Sequence, residues 1–205
     1  MIVIYNESNK ENREVGEMER CAWAKKELDI RYHDEEWGNP HHSEDSLFEL
    51  LILETMQAGL SWSTILVKRE NYREALDQFD YHKIASYSDE KVEELMNNAG
   101  IIRNRLKIKS IIKNAQAFIK VQKEWGSFDR YLWSFVDYQT IDNQFETIAE
   151  VPAQTELSNQ LAKDLKKRGF SFIGPVTCYA FMQAAGLIND HTMNCSYRMA
   201  VNYDK

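Results

Sequence analysis

Between Ser43 and Gly59 the chain carries a segment that admits few folds. Leu47, Phe48, Leu50, Leu51, Ile52 and Leu53 crowd together, so a helix here is apolar on nearly every side. Such a helix belongs inside a core. Ser43 suits its N-cap, Glu44 and Asp45 put negative charge in the first turn where the helix dipole favours it, and Gly59 suits its stop. Further helical patterns cover 88–97, 103–121, 128–136, 156–168 and 174–185. Alternating strand patterns, hairpin dipeptides, repeats and low-complexity stretches are missing. The fold reads as all-α.

A chain of 205 residues suits one large domain or two small, tightly joined ones. Residues 1–17 are polar and without sustained periodicity, and read as a flexible extension before one compact unit over 18–205. Met1 and Met18 both suit a native start. No apolar run is long enough for a bilayer and no secretory signal pattern opens the chain, so the expectation is a soluble, cytoplasmic protein. Three cysteines, Cys21, Cys178 and Cys195, do not suggest a disulfide framework. Cys178 lies in an apolar stretch and reads as core.

The formal net charge of −7 argues at first against a nucleic-acid partner. The basic residues are nevertheless clustered, with Arg103, Arg105, Lys107, Lys109 and Lys113 in one stretch and Lys163, Lys166, Lys167 and Arg168 in another. On charge alone these are either solvated helix faces or phosphate-binding surfaces.

Three constellations carry possible chemistry. Cys21 and His33 precede the core segments, and His191 and Cys195 follow them. Two Cys and two His can complete a closed tetrahedral zinc site that staples the two regions together, or they are four unrelated residues. Glu54 directly follows Leu50–Leu53 on the apolar helix. An unpaired buried carboxylate is costly, so Glu54 either reaches the surface or faces a pocket that supplies donors. Trp62 lies shortly beyond it, and Trp23, Tyr32 and Trp37 surround the possible metal ligands; these rings are either core or a box for a flat, polar ring, neutral or cationic. Finally, Gly100 sits in a turn between two helical patterns, followed by Arg103, Arg105 and Lys107. With a positive φ at Gly100 and free N–H groups on the next helix, this turn would grip a backbone phosphate; otherwise it is a helical hairpin with a solvated basic end.

The stretches Met18-Glu19-Arg20-Cys21-Ala22-Trp23, Tyr32-His33-Asp34-Glu35-Glu36-Trp37-Gly38, Gln57-Ala58-Gly59-Leu60-Ser61-Trp62 and Lys68-Arg69-Glu70-Asn71-Tyr72-Arg73 occur in this order. Ala99-Gly100-Ile101-Ile102-Arg103, Trp133-Ser134-Phe135-Val136, Leu165-Lys166-Lys167-Arg168-Gly169-Phe170 and Asn189-Asp190-His191 follow. Together they resemble the type I DNA-3-methyladenine glycosylases of bacteria, within the helix-hairpin-helix glycosylase group, over nearly everything after Glu17. One departure stands out: Asp29 occupies the place where that family usually carries a second pocket tyrosine, and the spacing from Cys21 is one residue shorter.

The resemblance implies a helix-hairpin-helix architecture around 88–121, with one structural zinc per chain on Cys21, His33, His191 and Cys195. It implies Glu54 as the base-pocket carboxylate, with Tyr32, Trp37, Trp62 and Trp23 as the aromatic pocket. Gly100, Arg103 and Arg105 would hold DNA, while Gly59 and Leu60 fill the gap left by an extruded base. The implied reaction releases 3-methyladenine from alkylated double-stranded DNA by hydrolysis, leaving an abasic site. The sequence offers no convincing lysine nucleophile for strand cleavage. Asp129 and Asp137 follow the hairpin, where other enzymes of the group keep a catalytic acid, but the resembled family does not rely on one. No protein partner and no membrane are implied. A zinc-stapled module that grips nucleic acid without reacting would explain the metal ligands and the hairpin, but not a carboxylate on a buried helix among four aromatics. A zinc hydrolase of small molecules would need an open metal position.

Overall fold

A computed structural model describes residues 18–198. The expected extension over 1–17 lies outside the described residues, as do 199–205. Nine α-helices form the described chain: α1 (Glu27–Glu35), α2 (Glu44–Gln57), α3 (Trp62–Ala75), α4 (Tyr81–Ile84), α5 (Asp89–Asn97), α6 (Arg105–Trp125), α7 (Phe128–Trp133), α8 (Glu156–Lys167) and α9 (Pro175–Ala184). The fold is all-α, apart from two residues of β1 (Ile141–Asp142) paired in parallel with two of β2 (Ile188–Asn189).

The apolar helix is α2. Leu47, Phe48 and every residue from Leu50 to Met56 are buried. α3, α6, α7 and α9 pack around it. Ser43 occupies its N-cap position but its hydroxyl does not cap. Glu44 instead accepts from the Phe128 and Asp129 N–H groups at 3.0 and 2.8 Å, so one first-turn carboxylate satisfies the start of α7. At its other end α2 stops before Gly59, whose φ of +79° is left-handed. No atom stands within 4 Å of a Cβ placed there, so conformation, not space, selects glycine.

Several boundaries follow local chemistry that apolar periodicity does not display. α1 and α3 were not expected as helices, because each is strongly polar. α1 buries Asp29, Tyr32 and His33, a single helical face. α3 opens on Ser61, which accepts from the Thr64 N–H at 3.3 Å. α6 begins at Arg105, two residues later than expected, because Asn104 caps it by accepting from the Leu106 and Lys107 N–H groups. The pattern over 128–136 divides into α7 and a 3₁₀ turn over Ser134–Val136.

Candidate active site and metal centre

Cys21, His33, His191 and Cys195, the expected metal ligands, meet in space. All four are buried, and their ligating atoms lie within 4.8 Å of one another. His191 Nδ1 stands 3.6 Å from Cys21 Sγ and 3.3 Å from Cys195 Sγ, which is 3.5 Å from His33 Nε2. Ligand bonds of about 2.0–2.3 Å around a tetrahedral ion give edges of about 3.3–3.8 Å, and these separations match. The surrounding groups orient the ligands. His33 Nδ1 pairs with Asp34 Oδ1 at 2.8 Å, and Arg20 Nε bonds both Asp34 oxygens at 2.9 Å. The Thr192 N–H points at Cys21 Sγ from 3.4 Å. Cys21 and His191 are 170 positions apart in the chain. This cluster could hold a metal ion.

This cluster packs behind the rings that wall a cavity. Trp37 packs against His191 with ring centroids 4.7 Å apart, and Trp23 against His33 at 5.3 Å. On the cavity side Trp23 meets Trp37 at 5.1 Å and 77°, while Tyr32 meets Trp62 at 5.0 Å and 50°. The expected Trp23, Tyr32, Trp37, Glu54 and Trp62 therefore line one cavity of about 370 Å³. Its volume suits a small planar ligand.

Among the described residues, three buried polar atoms of this lining have no hydrogen-bond partner: Glu54 Oε2, Tyr32 OH and Trp62 Nε1. Such groups are costly unless something completes them. Burial pushes the Glu54 carboxyl up to about 8. Burial, then the Glu54 charge, push the Tyr32 hydroxyl well above its usual range. Glu54 Oε2 lacks a donor, whereas Trp62 Nε1, which can only donate, lacks an acceptor, so a planar ring carrying both an N–H donor and a ring-nitrogen acceptor would complete the lining.

Sequence reasoning missed Gln57, Ile148, Val151, Ala180 and Gln183 in the lining. The Gln183 amide nitrogen donates to Asp190 at 2.7 Å, which orients the side chain. Asp190 is itself fully buried and also accepts from Tyr179 and Asn143. Asp29 does not line this cavity. It turns toward α3, where its Oδ2 accepts from Ser63 Oγ at 2.8 Å.

The turn between α5 and α6 is bolted to α3. The Gly100 carbonyl accepts from Lys68 Nζ at 3.0 Å and Asn71 Nδ2 at 3.1 Å, and the Ile102 N–H donates to Tyr72 OH. Gly100 does not take the positive φ expected of it. Glycine is needed for space: a Cβ would stand 2.9 Å from Asn98 Oδ1 and 3.1 Å from Asn71 Cβ. The basic cluster is also less free than its sequence suggests. Arg105 pairs with Glu93, and Lys109 with Asp89 at 3.3 Å. Lys107 is buried, with its ammonium turned inward. Arg103 is exposed and makes no hydrogen bond or ion pair within the described residues. In the second cluster Arg168 is held by Asp164 and Glu124. Leu60, beside the mouth of α2, is 40% exposed.

A family model described as methyladenine glycosylase matches residues 22–199. The DNA-3-methyladenine glycosylase 1 of Escherichia coli (strain K12) is 50% identical over 179 residues, covering 87% of this chain and 96% of that protein. The DNA-3-methyladenine glycosylase of Haemophilus influenzae is 48% identical over 177 residues, covering 86% and 96%. Among solved structures, a tyrosine-to-phenylalanine variant of 3-methyladenine DNA glycosylase I in complex with 3-methyladenine superposes with a TM-score of 0.86. It is 38% identical, and the match covers 88% of this chain and 98% of that one.

Proposed function

This chain belongs to the methyladenine glycosylase family, and from that membership we propose that it excises 3-methyladenine from alkylated double-stranded DNA in base-excision repair, working in the cytoplasm as one unit over 18–205. The observation that carries the assignment to this site is Glu54: a buried carboxylate with an orphaned oxygen in an aromatic cavity.

A base inside the duplex cannot reach Glu54, so the nucleotide must leave the stack. Trp23, Tyr32, Trp37 and Trp62 supply replacement stacking. A 3-methylated adenine nucleotide is cationic, and its glycosidic bond is already weakened because the base departs neutral. In the empty cavity the raised pKa keeps Glu54 protonated at neutral pH. Entry of a cationic base favours the carboxylate, which accepts from the adenine amino group. A neutral, undamaged base brings no such compensation. Glu54 therefore selects the damaged base and, as an anion, supports the positive charge that develops on the sugar. Water adds to the sugar, leaving an abasic site. Within the described residues no lysine lines the cavity, which supports hydrolysis without strand cleavage.

The α5–α6 turn serves as the DNA-gripping hairpin of a helix-hairpin-helix unit. Gly100 shapes it, and Arg103 and Arg105 offer cations to a phosphate, Arg105 only by giving up Glu93. Gly59 and Leu60 occupy the gap left by the extruded base. Cys21, His33, His191 and Cys195 would hold one zinc ion, whose four protein ligands leave no position for water and give it a structural role.

Chromatography of the bases released from alkylated DNA tests the reading. The wild type should liberate 3-methyladenine without added cofactor, and Glu54→Gln should do so far more slowly. Absence of release by well-folded, metal-loaded wild type would sink it.

A further inference from the structure

Lys107 is the one lysine in the buried set of the described residues, at 5% exposure. It lies in the first turn of α6, on the helical face that also buries Ile111, Asn114 and Phe118. Its Nζ donates to the carbonyls of Met56 at 2.8 Å and Ala58 at 2.7 Å. These are carbonyls at the end of α2, which has no basic residue in its own last turn.

A helix end leaves its last carbonyls without intrahelical partners and concentrates partial negative charge there. The end of α2 lies between Glu54 and the Gly59–Leu60 loop, where the polyanionic duplex would arrive. Lys107 meets both problems by filling two carbonyls and opposing the negative pole with a cation from another helix. It also joins two parts of the fold. α6 is capped by Asn104, directly after the Gly100 turn, and that turn is held by Lys68 and Asn71 of α3. α3 in turn begins two residues after Leu60. The short 58–61 loop is therefore fixed on the α2 side by Lys107, and its α3 side is tied to the same turn that leads into Lys107.

We infer that Lys107 is a positioning residue for base extrusion: it fixes the Leu60 loop and the end of the Glu54 helix relative to the hairpin. The inference rests on the glycosylase reading. It assigns Lys107 no contact with the base or with DNA.

Lys107→Met, which keeps the apolar stem, tests it. Binding of free 3-methyladenine should stay within about twofold of wild type, because the cavity lining is intact. Release from duplex DNA should fall by about 10- to 100-fold, the scale of a displacement of about 1 Å in a positioning group. A 2-aminopurine placed beside the lesion should brighten less at saturating protein than with wild type. A double-mutant cycle separates positioning from plain stabilisation. In a Leu60→Ala background, already deprived of the gap-filling side chain, Lys107→Met should cost little more. Strict additivity of the two losses, or duplex release that falls only in step with free-base binding, would overturn the inference. If Lys107→Met does not fold, the same cycle with Lys107→Gln, which keeps a donor amide, decides between the same outcomes. Wild-type protein that releases no methyladenine would sink the glycosylase reading instead.

Discussion

The carbonyl of Trp37 lies 3.1 Å from His191 Nε2, so a residue that walls the aromatic cavity is hydrogen-bonded to the far nitrogen of a candidate metal ligand. With Nδ1 turned toward the two sulfurs, the Nε2 proton is the one His191 can give to Trp37. A metal bound by His191 would therefore be coupled to the shape of the cavity.

This coupling predicts that chelation acts at a distance. Purified protein should carry about one zinc per chain. Its removal should lower both the melting temperature and the affinity for free 3-methyladenine, since ligand binding to the metal is also folding energy. Asp34→Ala, which frees His33 Nδ1, should weaken zinc affinity by about 10- to 100-fold. Metal analysis and melting curves on the same samples decide. Zinc-free protein with an unchanged melt on zinc addition would refute the centre.

Glu54→Gln should reduce excision selectively. The substitution preserves size but replaces one acceptor oxygen with a donor amide, which faces the adenine amino group donor to donor. A mismatch of about 1–3 kcal/mol corresponds to a loss of about one to two orders of magnitude in release. Affinity for undamaged duplex should barely change, because phosphates carry it. Single-turnover release beside undamaged-DNA binding separates the two. Equal release rates would reduce Glu54 to an ordinary helix residue.

The same variant should alter the pH dependence of folding. The Glu54 pKa of about 8 in the folded chain exceeds the usual carboxylate value of 4.5. Between those values the folded state holds a proton that the unfolded state has lost, so stability falls as pH rises, by at most about 1.4 kcal/mol per pH unit. Above about pH 8 both states are ionised and this contribution levels off. Glu54→Gln removes the dependence, so its melting temperature should gain on wild type from about pH 5 to 8. Denaturation across that range is the measurement, and a constant offset would contradict a buried, unpaired carboxyl.

Arg103 and Arg105 should behave differently although they are near neighbours. Arg103 is unpaired within the described residues, so Arg103→Ala should weaken DNA binding alike on all sequences and reduce the salt slope by about one. Arg105 already has Glu93, so part of its charge is compensated before DNA arrives and Arg105→Ala should cost less. Salt titrations of both variants would expose the opposite order. Dependence of the Arg103 loss on base sequence would point away from a phosphate contact.

How much of this was legible in the sequence depended on where the chemistry sat. Glu54 stood out because it ends an apolar run, and the four candidate metal ligands because Cys and His are few. Ala180 and Val151 could not be found that way, since nothing distinguishes them from core residues until α9 and the 148–151 turn are brought to the cavity. Gln183 offered a signal that went unused: it is polar within the mostly apolar α9, much as Glu54 is within α2. Lys107 offered another. Its linear neighbours Arg105 and Lys109 suggest a basic face, yet the helical period places it with Ile111 and Phe118. The positive φ expected of Gly100 is absent, and what favours glycine there, crowding by Asn71, is a tertiary fact with no trace in local propensity.

Glu19 and Ser196 exchange two hydrogen bonds, from the Ser196 N–H to the Glu19 carbonyl and from the Glu19 N–H to Ser196 Oγ. Next to Cys21 and Cys195, these bonds make the chain between them almost a ring. A ring has no privileged starting point. A circularly permuted chain that keeps Met18 and the buried Arg198 and joins them through a linker, with new ends cut into an exposed turn such as that around Glu146, should therefore fold, because the order in which the helices are synthesised is not what closes the cavity.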